Sequence, residues 1–129
     1  MIILYILYRN QSYNNESGHN KDKIFRKVSD DLNKTFPQNV DKYTVIQSSM
    51  YHNGEFIYSY KGDFESLTND FNISKYEWEQ NQYNSLRNTV CTSPDFKSFR
   101  DYDIDIIWSY VNLDGKYFSE VKVETKKCP

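Results

Sequence analysis

The sequence predicts an α+β fold, in which an antiparallel sheet of about four strands carries two main helices on one face. Three observations lead to this prediction. Two stretches have the three- and four-residue apolar spacing of a helix, two others pair strands around a tight turn, and these features alternate as helix, hairpin, helix, hairpin. A length of 129 residues is that of one domain, which we expect to span residues 22–129.

The first 21 residues differ in character from the rest of the chain. Residues 1–8 are an apolar run, shorter than the roughly 20 residues that a helix needs to span a bilayer. Residues 9–21 are rich in Asn and Ser, which predicts a solvated linker. Two interpretations of the apolar run stay open: a membrane tether left from a signal or anchor, and an N-terminal β-strand.

The first helix is predicted from Asp22 to Phe36, and Pro37 ends it. Its apolar stripe contains Ile24, Phe25, Val28, Leu32 and Phe36. The first hairpin follows, with strands at 44–51 and 55–61 around Asn53-Gly54, a pair typical of tight hairpin turns. Residues 62–72 are expected to be irregular.

The second helix is predicted to begin after Ser74, which forms a capping box with Glu77, and to end near Cys91. Its apolar side is expected to contain Tyr76, Tyr83, Leu86 and Val90, with Trp78 offset from them. Ser93 and Pro94 then predict a short helix that runs to about Arg100 and buries Phe96 and Phe99.

The second hairpin is predicted from strands 104–111 and 117–124, joined by a turn at Asp114-Gly115. Strand alternation places Ile104, Ile106, Trp108 and Tyr110 on one face of the first strand. The same alternation in the second strand places Tyr117, Val121 and Val123 on one face and Phe118, Glu120 and Lys122 on the other.

Cys91 and Cys128 are the two cysteines of the chain, and each lies at the end of a predicted element. A disulfide between them is expected, because a covalent link is most useful at such positions, and it would indicate an oxidising compartment. Two free buried thiols are the alternative. An enzyme that uses Cys91 as a nucleophile beside His52 is a third interpretation, although nothing in the spacing supports it.

Charge and motifs exclude several classes of function. Sixteen basic and 18 acidic residues give a formal net charge of -2, which argues against binding to nucleic acid. The sequence contains no phosphate-binding glycine loop and no hydrolase motif, so we expect no enzymatic activity and no cofactor. Asp101, Asp103 and Asp105 alternate as in a cation site but lack the glycine and distal glutamate of a calcium loop, so no metal site is expected.

A protein-binding surface is the remaining candidate for function. Tyr58, Tyr60, Trp108 and Tyr110 can form an aromatic strip on the sheet, and tyrosine and tryptophan suit such surfaces because each combines a large ring with a polar atom. The alternative is that these four side chains belong to the core. A groove between a helix and a sheet edge that accepts a partner's segment is a second form that a binding module can take.

Several segments together resemble a known family. These are Leu32-Asn-Lys-Thr-Phe-Pro37, Tyr43-Thr-Val-Ile46, Leu86 to Asp95 with its Val-Cys-Thr-Ser-Pro core, the hairpin from Ile104 to Val123, and Cys128. Across residues 25–128 this order is similar to that of the small envelope lipoproteins that serve as pilotins of type II secretion (the GspS-beta kind). The match does not include the lipobox cysteine of those proteins, because no cysteine precedes Cys91.

The resemblance implies a helix-and-sheet fold with one disulfide from a helix to the C-terminus, and a location in the periplasm or elsewhere in the envelope. It also implies a non-enzymatic protein that binds a partner's segment, as pilotins bind a segment near the end of the secretin. The alternative function is that of an immunity or inhibitor protein, or of another secreted binding protein.

Overall fold

The computed structural model of the protein describes residues 20–129, and it has the predicted α+β fold. Five strands form one sheet in the order β1-β2-β3-β4-β5. The helices are α1 (Lys21–Asn33), α2 (Phe64–Asp70), α3 (Lys75–Thr92) and α4 (Lys97–Asp101), and the strands are β1 (Gln38–Asn39), β2 (Thr44–His52), β3 (Glu55–Gly62), β4 (Asp105–Asn112) and β5 (Tyr117–Glu124). The predictions for the apolar run and most of the linker lie outside the described residues.

The sheet consists of two antiparallel hairpins joined along a parallel seam. β2 pairs with β3 and β4 pairs with β5 in antiparallel fashion, as predicted, but β3 and β4 run parallel, with Tyr58 opposite Trp108. The sheet is therefore mixed rather than wholly antiparallel. The reason is the connection between the hairpins, which carries α2, α3 and α4 and returns the chain to the end of the sheet where β3 began.

The first hairpin turns at Asn53-Gly54, as the sequence predicts. Both residues have positive φ, 46° at Asn53 and 82° at Gly54, which is the geometry of a type I′ turn. An extra residue near Gln47 shifts the register of β2 against β3. This bulge turns Ile46, Ser49 and Tyr51 toward the helices, where all three are buried.

Helix α1 ends three residues before the predicted Phe36. The backbone N–H and the hydroxyl of Thr35 both donate to the Leu32 carbonyl, at 2.9 and 2.7 Å, and close the last turn. Phe36 precedes a proline, a position that disfavours helical backbone. Four members of the predicted stripe are buried, namely Ile24, Phe25, Val28 and Leu32, and Phe36 packs partly buried against them.

Helix α2 lies in the stretch that the sequence predicted to be irregular. Asp63 begins it by accepting a hydrogen bond from the backbone N–H of Ser66 at 3.1 Å. Phe64 and Leu67 are buried beneath it. The prediction was wrong because seven residues are too few for an apolar repeat to be visible.

Helix α3 begins as predicted and buries part of the predicted apolar side. Ser74 and Glu77 form the capping box. The buried residues are Trp78, Gln82, Leu86 and Val90, whereas Tyr76 is 69% exposed. Leu86 and Val90 are buried as predicted, but Tyr76 and Tyr83 are exposed. The reason is that Trp78 packs edge-on against Tyr110, with ring centroids 4.9 Å apart, and this contact fixes the rotation of the helix.

A second bulge changes the predicted faces of β5. The register against β4 shifts at Tyr110/Val111 and leaves Phe118 as the extra residue. Phe118 therefore turns toward the helices and stacks on Phe64, with centroids 4.7 Å apart, while Tyr117 is 67% exposed. The prediction had these two residues on the opposite faces. Among residues 20–129, no helix is long and apolar enough to cross a membrane.

Candidate protein-binding site

The four aromatic residues that the sequence offered as a binding strip lie in the core. Tyr58, Tyr60, Trp108 and Tyr110 are all 0% exposed. Tyr58 stacks on Trp108 and Tyr60 stacks on Tyr110 across the parallel seam, with centroids 6.0 and 4.9 Å apart. The prediction that these four side chains form an exposed binding strip was therefore wrong. The four residues point to the helix-covered face of the sheet, where aromatic rings supply most of the core volume.

The polar atoms of these four residues are enclosed with them. The side-chain amide of Gln82 donates to the Tyr110 hydroxyl at 3.3 Å. The hydroxyls of Tyr58 and Tyr60 and the indole nitrogen of Trp108 have no hydrogen-bond partner among the described residues. Burial raises the pKa of the Tyr58, Tyr60 and Tyr110 hydroxyls well above the usual value. Such phenols stay neutral at physiological pH.

The predicted disulfide is present. Cys91 in the last turn of α3 is bonded to Cys128, next to the last residue of the chain, with 5.4 Å between their Cα atoms. The alternative of free thiols does not hold in this structure. Because both sulfur atoms are engaged, Cys91 is not available as a nucleophile in this state.

The outer side of β2 is covered in two ways: β1 pairs with Val45 and Ile46, and side chains of α1 bind at Ser49. The Asn33 side chain accepts a hydrogen bond from the Ser49 N–H at 2.7 Å and donates one to the Ser49 C=O at 2.9 Å. The hydroxyls of Ser29 and Ser49 lie 3.0 Å apart. Asn33 thus occupies the position that a neighbouring strand would take.

A groove of about 300 Å³ runs between α1 and this edge. It has the helix-and-edge form that the sequence analysis considered, and it is lined by Arg26, Ser29, Asp30, Asn33, Ser49, Met50 and Tyr51. Since Asn33 already satisfies the backbone of Ser49 at its floor, this groove offers little main chain for a partner to pair with.

The opposite edge, formed by β5, is not closed in this way. The Asp105 N–H donates to the Gly54 carbonyl on the β3 side. Because successive residues of a strand direct their backbone groups to opposite sides, the backbone groups of Trp108 point to β5, where Trp108 pairs with Val121. The backbone groups of Glu120 and Lys122 therefore point outward. Within the part of the chain that the structure describes, no hydrogen bond engages these outward groups.

Helix α3 runs alongside β5 above this edge. The ammonium of Lys75 lies 5.1 Å from the centre of the Phe118 ring, the Ser119 hydroxyl donates to Glu79, and Arg87 donates to the Lys127 carbonyl at 3.4 Å. Lys75, Glu79 and Arg87 are four and eight residues apart in sequence, so they lie on one side of α3. This side of the helix runs along β5 from Phe118 to Lys127, just after the strand.

Two exposed tyrosines of α3 border the same edge. Tyr83 lies on the stripe between Glu79 and Arg87 and is 39% exposed, and Tyr76 lies about two turns earlier on nearly the same side of the helix. Tyr117 adds a third exposed ring at the start of β5. We call this region, made of the outer edge of β5 with Tyr76, Tyr83 and Tyr117, the β5 edge surface. It combines free backbone groups with apolar contact area, which is what an added strand requires.

Sequence reasoning missed the β5 edge surface because it assigned Tyr76 and Tyr83 to the buried side of α3. One signal could have found them. Trp78 and Leu86 are eight residues apart and define a stripe on which neither tyrosine falls. Among residues 20–129, no group of three or more His, Cys, Asp or Glu side chains is arranged to hold an ion.

The sequence profile of a domain of unknown function, DUF8479, matches residues 19–129. The chain belongs to the DUF8479 family. No curated protein sequence matches this DUF8479 chain.

Solved structures with the fold of the DUF8479 domain include two pilotins. The first is EpsS of the Vibrio vulnificus type 2 secretion system, with a TM-score of 0.65 at 9% identity over 88% of this chain and 98% of the other. The second is the type II secretion pilotin AspS of Vibrio cholerae, with a TM-score of 0.63 at 16% identity over 86% and 94%. The predicted resemblance to pilotins is therefore confirmed for the fold.

A further solved structure is that of a candidate secreted protein from Pseudomonas aeruginosa. Its TM-score is 0.67 at 11% identity, over 83% of the DUF8479 chain and 91% of the other. At these identities the three likenesses describe the fold alone.

Proposed function

We propose that this protein is a non-enzymatic binding module of the bacterial cell envelope, which takes an extended segment of a partner protein onto the β5 edge surface in a pilotin-like role. The observation that carries the proposal is the difference between the two edges of the sheet. Beside β2, β1 pairs with Val45 and Ile46 and Asn33 binds both backbone groups of Ser49, whereas no hydrogen bond within the described residues engages the outward groups of Glu120 and Lys122. Such an edge binds a partner strand through its main chain.

The tyrosines of α3 add contact area above that edge. A strand added to β5 would carry alternate side chains toward the helix layer, where Tyr76 and Tyr83 present partly exposed rings. Tyrosine is enriched at protein interfaces because its ring contributes large area at a low cost in conformational entropy. The partner segment is therefore expected to be extended, with apolar residues at alternate positions.

The location in the envelope is supported by the disulfide. Disulfides persist in oxidising compartments such as the periplasm and are rare in the cytosol, and the bond between Cys91 and Cys128 closes a separation of 37 residues. We propose the C-terminal segment of a secretin as the partner, on the resemblance to pilotins, and residues 1–8 as a membrane tether.

The test uses the full chain and a set of synthetic peptides from secretin C-terminal regions, with dissociation constants measured by calorimetry. Glu120→Pro removes the outward N–H at the middle of β5 without removing a bond to β4, since proline is tolerated on an edge strand in that orientation. Glu120→Ala is the matched control, because it removes the same side chain and keeps the N–H. We expect Glu120→Pro to abolish binding and Glu120→Ala to retain it.

Equal affinity for the wild type and Glu120→Pro, with both folded by circular dichroism, would overturn the β5 edge as the binding site. Lack of binding to any secretin peptide would overturn the secretin as partner. A different envelope protein whose binding still depends on the Glu120 N–H would retain the site and favour the immunity or inhibitor role.

A further inference from the structure

A second surface of the molecule is a cleft of about 490 Å³ between α2 and the hairpin of β4 and β5. It is distinct from the β5 edge surface, because none of Tyr76, Tyr83, Tyr117, Glu120 and Lys122 lines it. Its lining residues are Gly62, Asp63, Glu65, Thr68, Asn112, Leu113, Asp114 and Phe118. We call this region the α2–hairpin cleft. The strand-binding function proposed above does not involve it.

The charge in the α2–hairpin cleft is of one sign. Three carboxylates, those of Asp63, Glu65 and Asp114, line it, and no lysine or arginine does. Two hydrogen bonds from Ser66, to the side-chain oxygens of Asp63 at 3.1 and 2.7 Å, lower the pKa of that carboxyl. The cleft is therefore anionic at neutral pH, although the chain as a whole has a formal net charge of only -2.

Two lysines lie close to the lining residues: Lys116 donates its backbone N–H to the Asp114 carboxylate at 3.0 Å, and Lys75 contacts Phe118. The Lys75 ammonium lies 5.1 Å from the centre of the Phe118 ring and 5.9 Å from that of Tyr117. This position is a cation–π contact, which holds the ammonium over the rings. It leaves the excess of negative charge in the cleft in place.

The cleft also offers apolar contact. Phe118 is half-buried on its wall, and Leu113 at the tip of the hairpin is 61% exposed. The strand ends at Gly62, where a Cβ atom would lie 2.8 Å from the Tyr43 carbonyl oxygen and 2.9 Å from the Phe64 ring. Only a glycine fits at this position, so the Phe64 ring can pack directly against the backbone of Gly62, which lines the cleft.

These features fit a side chain that is both apolar and cationic. The aliphatic part of an arginine or lysine would pack on Leu113 and Phe118, and its charged group would meet the carboxylates of Glu65 and Asp114. We propose that the α2–hairpin cleft is a second docking site, which takes a cationic segment of a partner protein with arginine or lysine next to an apolar residue. Charge complementarity selects this occupant over an acidic or a purely apolar segment.

The test is a titration of the full-length protein with the tetrapeptide Ac-Arg-Leu-Arg-Leu-NH₂, followed by amide chemical shifts. We expect shifts at Glu65, Thr68 and Leu113, and binding that weakens as salt is added. The double variant Glu65→Gln/Asp114→Asn keeps the shape of both side chains and should weaken binding about tenfold, since it removes two exposed ion pairs with the peptide.

A matched control separates the cleft from the net charge of the protein. Asp30→Asn/Asp103→Asn removes the same two charges from exposed positions outside the cleft, and it should leave the affinity unchanged. Equal weakening in both double variants, shifts confined to other surfaces, or no binding of the peptide would each overturn the proposal. Equal binding of Ac-Glu-Leu-Glu-Leu-NH₂ would also overturn it, because charge would then play no part. None of these results depends on Glu120, so the proposed function is tested separately.

Discussion

Asn33 binds the backbone of Ser49 with both ends of its side-chain amide. The amide oxygen accepts from the Ser49 N–H at 2.7 Å, and the amide nitrogen donates to the Ser49 C=O at 2.9 Å. Asn33 is the last residue of α1, and Ser49 lies beyond the bulge in β2. One side chain thus joins the first helix to the sheet and closes a strand edge against other chains.

The first prediction concerns this contact. Asn33→Ala leaves a partly buried N–H and C=O of Ser49 without their partner, so the free energy of unfolding should fall by about 1–3 kcal/mol. Urea denaturation measures the change. Asn84→Ala, at an exposed position of α3, is the control and should leave stability unchanged or slightly higher. The role of Asn33 would be rejected if the two variants were equally stable. Concentration-dependent association of Asn33→Ala alone would show that the edge had become available.

The second prediction concerns the rotation of α3. Trp78 is 4% exposed and contacts Phe64, Tyr110 and Phe118, so Trp78→Ala should cost about 3–5 kcal/mol of stability. Tyr76→Ala, two residues earlier and 69% exposed, should change stability by less than about 0.5 kcal/mol. Thermal and urea unfolding of the two variants compare them directly. The opposite order of stability would mean that α3 buries the side first predicted from the sequence.

The third prediction concerns the disulfide. In the chain-entropy model, closing a loop across a separation of 37 residues stabilises the folded state by about 4 kcal/mol. Cys91→Ala/Cys128→Ala should lose about this amount in urea denaturation, and reduction of the wild type should give a similar loss. Intact mass after alkylation reports the bond directly: without reductant, no alkyl group should be added. Incorporation of two alkyl groups into unreduced native protein would rule the bond out.

The fourth prediction concerns alkaline pH. Burial, with the hydrogen bond that Tyr51 donates to Asp22 at 2.6 Å, raises the pKa of Tyr51 to about 12. The folded state thus holds this proton more tightly than the unfolded state, where the pKa is about 10. The stability from this group is fully present below pH 10 and is lost as the pH rises from about 10 to about 12.

Two variants isolate that contribution. Tyr51→Phe keeps the ring and removes the proton, so unfolding free energy should fall less steeply between pH 10 and 12 than in the wild type. Asp22→Asn keeps the phenol and removes the charge that it faces, so the Tyr51 pKa should fall. Absorbance at 295 nm follows the ionisation of the phenols. An unchanged pH slope in Tyr51→Phe would show that Tyr51 does not contribute to the alkaline loss.

The elements predicted best from the sequence are those fixed by local chemistry. Asn53-Gly54 adopts the positive φ angles that its turn demands, and Ser74 with Glu77 caps α3 as predicted. The helical stripe from Ile24 to Leu32 is also local, since spacing alone defines it. The fold class follows from these elements, because their order and amphipathic faces leave few ways to build one core.

The predictions from the sequence were wrong where the structure of a segment depends on residues that are distant in the chain. Phe118 turns inward because β5 has one residue more than β4 at the bulge, and no alternation of residue types in β5 reveals this. The parallel seam depends on the path of the whole connection between the hairpins. Tyr58 and Trp108 were placed in a candidate surface because a strand pattern shows which residues share a face but not which face the helices cover.

The bond between Cys91 and Cys128 also turns part of the chain into a covalent ring. The ring contains α4, β4 and β5, including the exposed tip of the hairpin at Leu113. A protease that cuts once within the ring leaves both pieces attached to each other, whereas a cut between α1 and α3 separates two fragments. A molecule nicked at the hairpin tip would therefore migrate as an intact chain until a reductant was added, and damage at this exposed loop would not release any part of the domain.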